Sequence, residues 1–127
     1  MKIQYRHDQS LSAESFLGLA RKVWPRVYDE QLARVALTCT LNFTAWDSDQ
    51  LAGCVRVLSD GYFFNCVTEI MVDPAYQKRG IGRELMRRAL ESAPGRKLFL
   101  GAQPGNEGFF ERCGFTRGPV GFVGSSE

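Results

Sequence analysis

Two β-rich runs near the middle of the chain, "LAGCVRVL" (51–58) and "YFFNCVTEIMV" (62–72), constrain the fold more than any other feature. Ser59-Asp60-Gly61 separates them, and Asp-Gly is a pairing that tight hairpin turns prefer. The spacing predicts an antiparallel hairpin. The chain then runs through "DPAYQKRGIG" (73–82) into an amphipathic stretch from Arg83 to Ala93. There Leu85, Met86, Ala89, Leu90 and Ala93 form one apolar stripe at helical spacing. The order is therefore strand, glycine turn, helix. Glycine weakens a helix, so two of them where one must nucleate need a reason beyond helix stability.

The first amides of a helix have no intrahelical acceptor, and in this order they point out at the strand's end. Gly80 and Gly82 would let the turn take positive φ and let a bulky anion reach the backbone without meeting a Cβ. Successive amides and the helix dipole then form an anion receptor, for which phosphate is the natural guest. Charge follows the same pattern. Residues 76–97 hold seven basic and two acidic side chains, net +5, while residues 1–75 carry −2 and residues 98–127 carry −1. Lys78, Arg79 and Arg83 stand at the turn itself. A P-loop would need Gly-Lys-Ser/Thr, where this chain has Gly80-Ile81-Gly82-Arg83. A dinucleotide fingerprint would need a third glycine where Leu85 stands, inside a parallel unit rather than after a hairpin.

Composition narrows the classes further. A chain of 127 residues, 44% apolar and 24% charged, is the size of one soluble domain with one core. No apolar run approaches the roughly 20 residues that span a bilayer, and "MKIQYRHDQS" lacks the apolar centre of a signal peptide. The cytoplasm is the expected location, with no membrane partner. Cys39, Cys54, Cys66 and Cys113 form no CxxC pair, so neither a zinc site nor a disulfide framework is expected. Cys54 and Cys66 flank the hairpin, where they could face each other, and are read as buried thiols. His7 is the only histidine, which argues against a metal hydrolase and a Ser-His-Asp triad. The small total charge and acidic remainder argue against nucleic acid as a partner.

"KIQYR" reads as an opening strand. Ser12 caps a helix with Phe16, Leu17, Ala20, Val23 and Trp24 on one face, ended by Pro25. A second helix starts at Asp29 and is expected to bury Leu32, Val35 and Ala36. "TLNFTAW" (40–46) alternates as a strand. After Pro94-Gly95, "KLFLGA" reads as a short buried strand. "NEGFFERCGF" (106–115) reads as a short helix stopped by Gly114, and "FTRGPVGFV" as at most a broken last strand. With no linker, repeat or low-complexity tract, residues 1–127 read as one α+β domain.

Gln77-Lys78-Arg79-Gly80-Ile81-Gly82 matches the Q/R-x-x-G-x-G/A signature of the GNAT family of N-acetyltransferases. "EIMVDPAYQKRGIGRELM" (69–86) resembles that family's fourth strand, loop and third helix, and "NEGFFERCGF" resembles its later Phe-Tyr-x-x-x-Gly-Phe helix. The resemblance covers roughly residues 50–116. It implies a GNAT-like fold, a central, mostly antiparallel mixed sheet flanked by helices, here with a shortened C-terminal end. It also implies acetyl-CoA as cosubstrate. Its pyrophosphate would lie on the amides of Gln77, Lys78, Arg79, Gly80, Ile81 and Gly82, with Lys78, Arg79 and Arg83 offsetting the charge. Pantetheine would pair with Ile70, Met71 and Val72 and run between that strand and "LFLG". Asn106 matches a position that touches the cofactor. The implied activity is acetyl transfer to a primary amine of a small molecule or peptide, by direct attack in a ternary complex.

Such a transfer needs a group to take the amine's proton, and Glu69 is the candidate base. It interrupts an apolar strand, on the face expected to hold Val67 and Met71. An unpaired carboxylate there is costly to keep ionised, which would suit it to accept a proton. At a sheet edge it would instead be solvated or paired with an arginine. The family's usual acid is the tyrosine of the Phe-Tyr pair, where this chain has Phe110. Two accounts stay open. The CoA thiol, of pKa roughly 8.5, leaves as thiolate or is protonated by water, or the chain is a weak or inactive acyl-CoA-binding module. Tyr62 flanks the hairpin turn and Tyr76 precedes the phosphate loop, so neither is expected to replace the acid. Cys113 reads as a buried thiol, and Phe109, Phe115 and Phe122 as core or dimer surface. Asp29 and Glu30 are placed to attract a cationic amine, with Asp29 also fit to cap a helix. The short end after "GPVGFVG" would leave the acceptor site open, or have it completed by a second subunit in a homodimer.

Overall fold

Alternation along the central strands explains why the sheet carries helices on both faces. A computed structural model describes residues 2–126. It contains β1 (Gln4–His7), α1 (Ala13–Val23), α2 (Glu30–Thr38), β2 (Leu41–Asp47), β3 (Gln50–Ser59), β4 (Asn65–Val72), α3 (Ile81–Ser92) and α4 (Glu107–Arg112), with short 3-10 turns at Pro74–Tyr76 and Pro94–Arg96. The four strands pair antiparallel in the order β1-β2-β3-β4. Cys54 and Met71 of the middle strands pack with Phe16, Leu17, Ala20 and Leu37 of α1 and α2. Val55, Val57 and Val67 point the other way and pack with Ile81, Leu85 and Met86 of α3. The expected α+β sheet with flanking helices is present, and among the described residues no helix is long and apolar enough to cross a membrane.

Several local expectations are corrected. The connection from β3 to β4 is a five-residue loop, 60–64, rather than a tight turn. The Asp60 carboxylate accepts from the amides of Tyr62 (2.9 Å), Phe63 (2.7 Å) and Phe64 (3.1 Å), and these bonds hold it below the usual carboxylate range. Tyr62, Phe63 and Phe64 are therefore exposed loop residues, although their types favour a strand. In α2 the buried residue is Leu37, while Leu32 and Val35 are 70% and 62% exposed and Ala36 is also exposed. The helix presents its Ala33–Leu37 row to the core, one position away from the expected stripe.

"KLFLGA" forms only one parallel bridge, Phe99 to Cys66, with its apolar side chains half-buried. Residues 116–126 form no strand and lie exposed, Phe122 included. Cys54 pairs with Met71 and Cys66 with Leu58, so the two thiols do not face each other, and all four cysteines are free. Cys54 is fully buried, Cys66 half-buried and Cys39 exposed.

Candidate active site

Asp73 follows β4 and caps the next turn, and its buried carboxylate accepts from the Ala75 amide (2.9 Å) and from Lys22 Nζ of α1 (3.0 Å). The 3-10 turn follows, with Tyr76 donating its hydroxyl to Asp47 Oδ2 (2.6 Å), a bond that pushes the phenol above its ordinary value. Gln77 Nε2 bonds back to the Val72 carbonyl (3.0 Å). Lys78 (φ 64°) and Gly80 (φ 82°) are both left-handed, and Gly80 caps α3, which starts at Ile81 rather than Arg83. The Glu84 amide bonds the Gly80 carbonyl at 3.1 Å. Helix geometry therefore leaves the amides of Ile81, Gly82 and Arg83 without an intrahelical acceptor. Lys78, Arg79 and Arg83 are exposed around them, with Arg79 over the Tyr76 ring at 5.7 Å. The other two arginines of α3, Arg87 and Arg88, bond Glu84, each at 2.7 Å.

The two glycines differ in what they do. A Cβ on Gly80 would meet nothing within 4 Å, and its left-handed φ is what favours glycine there. Gly82 has no positive φ. A Cβ there would lie 3.1 Å from Phe109 Cζ, so its lack of a side chain lets α4 close on α3. That contact brings α4 beside the turn. Asn106, at the N-cap of α4, is exposed and makes no side-chain capping bond.

β4 is an edge strand. Val67 donates to the Phe99 carbonyl (2.8 Å) and Phe99 to that of Asn65 (2.9 Å). Beyond this point no described strand pairs with the outer edge of β4, so Glu69 to Val72 form an unpaired edge that leads to the turn. Ile70 and Val72 are half-buried on the α3 face, whereas Met71 is core, 1% exposed. Any contact that Met71 makes with a ligand at this edge must come from its backbone.

On the α1 face the register places Arg56 opposite Glu69 and Val57 opposite Val67, which leaves Thr68 as a bulge. The extra residue turns Val67 to the α3 face, so Glu69 shares its face with Met71 but not with Val67. Nor is Glu69 unpaired. Arg56 Nη2 donates to Glu69 Oε1 (2.8 Å), Arg56 Nε donates to Oε2, and Thr68 Oγ1 donates to Oε1 (2.9 Å). Burial works against the Arg56 charge, but the bond and charge of Glu69 outweigh it and raise the guanidinium's pKa. The guanidinium also lies over Phe16 at 5.4 Å. Arg56 was not singled out by the sequence, and its only signal was a lone charge inside "LAGCVRVL".

Arg56, Glu69 and Met71 form the floor of a cleft of about 450 Å³ between α1 and α2, walled by Phe16, Trp24, Tyr28 and Leu32 among others. Asp29 reaches this cleft, but its carboxylate caps the Leu32 amide (3.0 Å). Glu30 pairs with Arg34 (3.7 Å) and is not among the lining residues. Phe110 packs edge-on against Phe109 and Phe115, with ring centroids 5.1 and 6.4 Å away. Tyr62 is in the exposed hairpin loop and the Tyr76 hydroxyl is engaged by Asp47. Cys113 is half-buried, and burial pushes its thiol up despite Arg83 and Arg112 nearby.

The sequence profile of the acetyltransferase (GNAT) domain family matches residues 40–117, and the chain belongs to that family. It is 29% identical over 107 residues to the rice protein named serotonin N-acetyltransferase 2, chloroplastic, covering 79% of this chain and 54% of that one. It is 38% identical over 53 residues to rice glucosamine 6-phosphate N-acetyltransferase 1, covering 39% and 32%. The chain spans about a third to a half of the length of the curated relatives it matches. A GNAT-family acetyltransferase from Streptococcus pneumoniae has the same fold, with a TM-score of 0.83 over 98% of both chains at 24% identity.

Proposed function

We propose that the protein transfers the acetyl group of acetyl-CoA to a primary amine of a small molecule or peptide, by direct attack in a ternary complex. One observation carries this reading. Glu69 and Met71 of β4 line the floor of the α1–α2 cleft and belong to the segment, Glu69 to Val72, whose unpaired edge leads to the α3 turn. A thioester entering along the edge and an amine entering through the cleft meet at Glu69.

The residues at the turn fit a pyrophosphate. The free amides at the positive end of α3 and an open Gly80 suit an anion, the amides of Gln77 to Gly82 would lie against it, and Lys78, Arg79 and Arg83 would offset its charge. The backbone of Ile70, Met71 and Val72 would hold the pantetheine arm, and Asn106 of α4 would contact the cofactor. Acetyl-CoA supplies the activated acyl group. Glu69, held by Arg56, accepts the proton as the amine nitrogen bonds to the carbonyl carbon. The C–S bond breaks, and the sulfur leaves as thiolate. This reading takes the cytoplasm as the compartment and needs neither membrane nor nucleic acid.

A second reading, a binding module with little or no catalysis, is favoured by Phe110, which has no proton to give at the family's tyrosine position. Calorimetric titration of acetyl-CoA into wild type and a Gly80→Glu variant tests the cradle. Thiol release on adding an amine then separates enzyme from module. Micromolar binding lost in the variant, with amine-dependent thiol release, is expected. No binding to wild type would sink both readings.

A further inference from the structure

We infer that the acceptor is a primary amine on an apolar, ring-sized body, seated in the α1–α2 cleft with its nitrogen at Glu69. The inference rests on the acetyltransferase reading and adds the class of substrate. At about 450 Å³ the cleft falls within the roughly 300–1,000 Å³ of small-molecule sites. Its walls are Phe16, Leu17, Trp24, Tyr28 and Leu32, and Met71 lies in the floor. Trp24 and Leu32, at 47% and 70% exposed, leave large apolar surfaces to water at a concave opening. Apolar surface clustered in this way marks a binding site.

The charges of the cleft select against the alternatives. Its ionisable lining groups are Arg26, Tyr28, Asp29, Arg56 and Glu69. Asp29 is engaged by the Leu32 amide, Arg56 is held by Glu69, and Arg26 lies over the Tyr28 ring at 5.1 Å. A phosphate or carboxylate on the acceptor would meet at the floor a guanidinium whose charge Glu69 already offsets, with the Glu69 carboxylate beside it to repel the anion. A polyamine would bring several ammonium groups to a floor with one carboxylate and an arginine beside it. An amine with a single polar end avoids both costs. Its nitrogen bonds to Glu69 and its body lies on the aromatic walls.

The test is kcat/KM at saturating acetyl-CoA for linear alkylamines from propyl to octyl, with phenethylamine, glucosamine 6-phosphate and spermidine. Each buried methylene contributes about 0.8 kcal/mol, so kcat/KM is expected to rise about fourfold per carbon until the cleft is full. Phenethylamine should exceed the sugar phosphate and spermidine by about 100-fold. A flat series, or faster turnover of either polar amine, overturns the inference. Leu32→Lys, on an exposed helix face, should flatten the series and leave the KM for acetyl-CoA unchanged, and a retained slope also overturns it. Octylamine binding without acetyl-CoA is read from Trp24 emission, with Trp24→Phe as control. An emission change with no turnover of any amine would keep the cleft assignment and sink the acetyltransferase reading. Turnover of a polar amine with no emission change would do the reverse.

Discussion

Arg56 and Glu69 face each other across β3 and β4, guanidinium against carboxylate, beside the bulge at Thr68. The pair is largely buried, with side chains 17% and 16% exposed, so removing one partner strands the other. Glu69→Gln is expected to lower kcat by about 10²–10⁴-fold, the range of a lost general base, with acetyl-CoA affinity within about twofold. Arg56→Lys keeps the charge but loses the two-pronged grip, so a smaller loss, of about tenfold, is expected. Steady-state kinetics with calorimetry of acetyl-CoA measures both, and normal turnover in Glu69→Gln would take the residue out of the role.

Gly82 and Phe109 give a prediction about packing. A methyl group on Gly82 would press on the Phe109 ring at 3.1 and 3.4 Å, so the ring or the helix must shift. Gly82→Ala is expected to cost about 1–2 kcal/mol by overpacking. Adding Phe109→Leu should recover about half, because it removes the obstructing ring. Gly80→Ala meets no atom but strains a left-handed residue, at about 1–2 kcal/mol, and Phe109→Leu should not rescue it. Urea midpoints of the four variants decide this, and equal rescue of both alanines would refute the separate roles of the glycines.

Local patterns made the centre of the molecule legible. The β3 and β4 runs, the turn at Gly80 and the Leu85–Met86–Ala89 stripe each follow from neighbours in sequence. What was missed depends on distant contacts or on geometry without a residue signature. The nine-residue α2 carries two overlapping apolar rows, and only tertiary packing selects Ala33 and Leu37 over Leu32 and Val35. The Thr68 bulge has no residue-type signal, yet it moves Val67 to the other face and brings Arg56 opposite Glu69. The packing role of Gly82 requires Phe109 of α4, which the turn's own sequence does not specify.

The Asp73–Lys22 contact gives a pH prediction. Burial alone would raise the Asp73 carboxyl, but the Ala75 amide and the Lys22 ammonium outweigh it and hold the group below the usual range. A lowered folded value means that the stabilisation is present above the unfolded value of about 3.9 and lost as pH falls through the folded one. Lys22 is half exposed, so Lys22→Met should cost only about 1 kcal/mol at pH 7. The difference from wild type should shrink as pH falls below the carboxylate range, where Asp73 becomes neutral. Urea unfolding across pH measures it, and a difference independent of pH would show that Lys22 acts by packing alone.

Phe110 takes the place that the family resemblance gives to a proton-donating tyrosine, and its ring is half-buried against Phe109 and Phe115. If the sulfur leaves as thiolate, with a pKa of roughly 8.5, a donor of pKa about 10 adds little at neutral pH. Phe110→Tyr is then expected to leave kcat within about threefold and to add no new basic limb to the pH–rate profile. The added hydroxyl needs a partner, so a loss of about 1 kcal/mol in stability is expected if it stays in the aromatic cluster. A gain of tenfold or more, with activity falling above about pH 10, would instead show that the site lacks an acid it can use. Stopped-flow thiol release with an alkylamine acceptor separates the outcomes, because it follows C–S cleavage rather than product release.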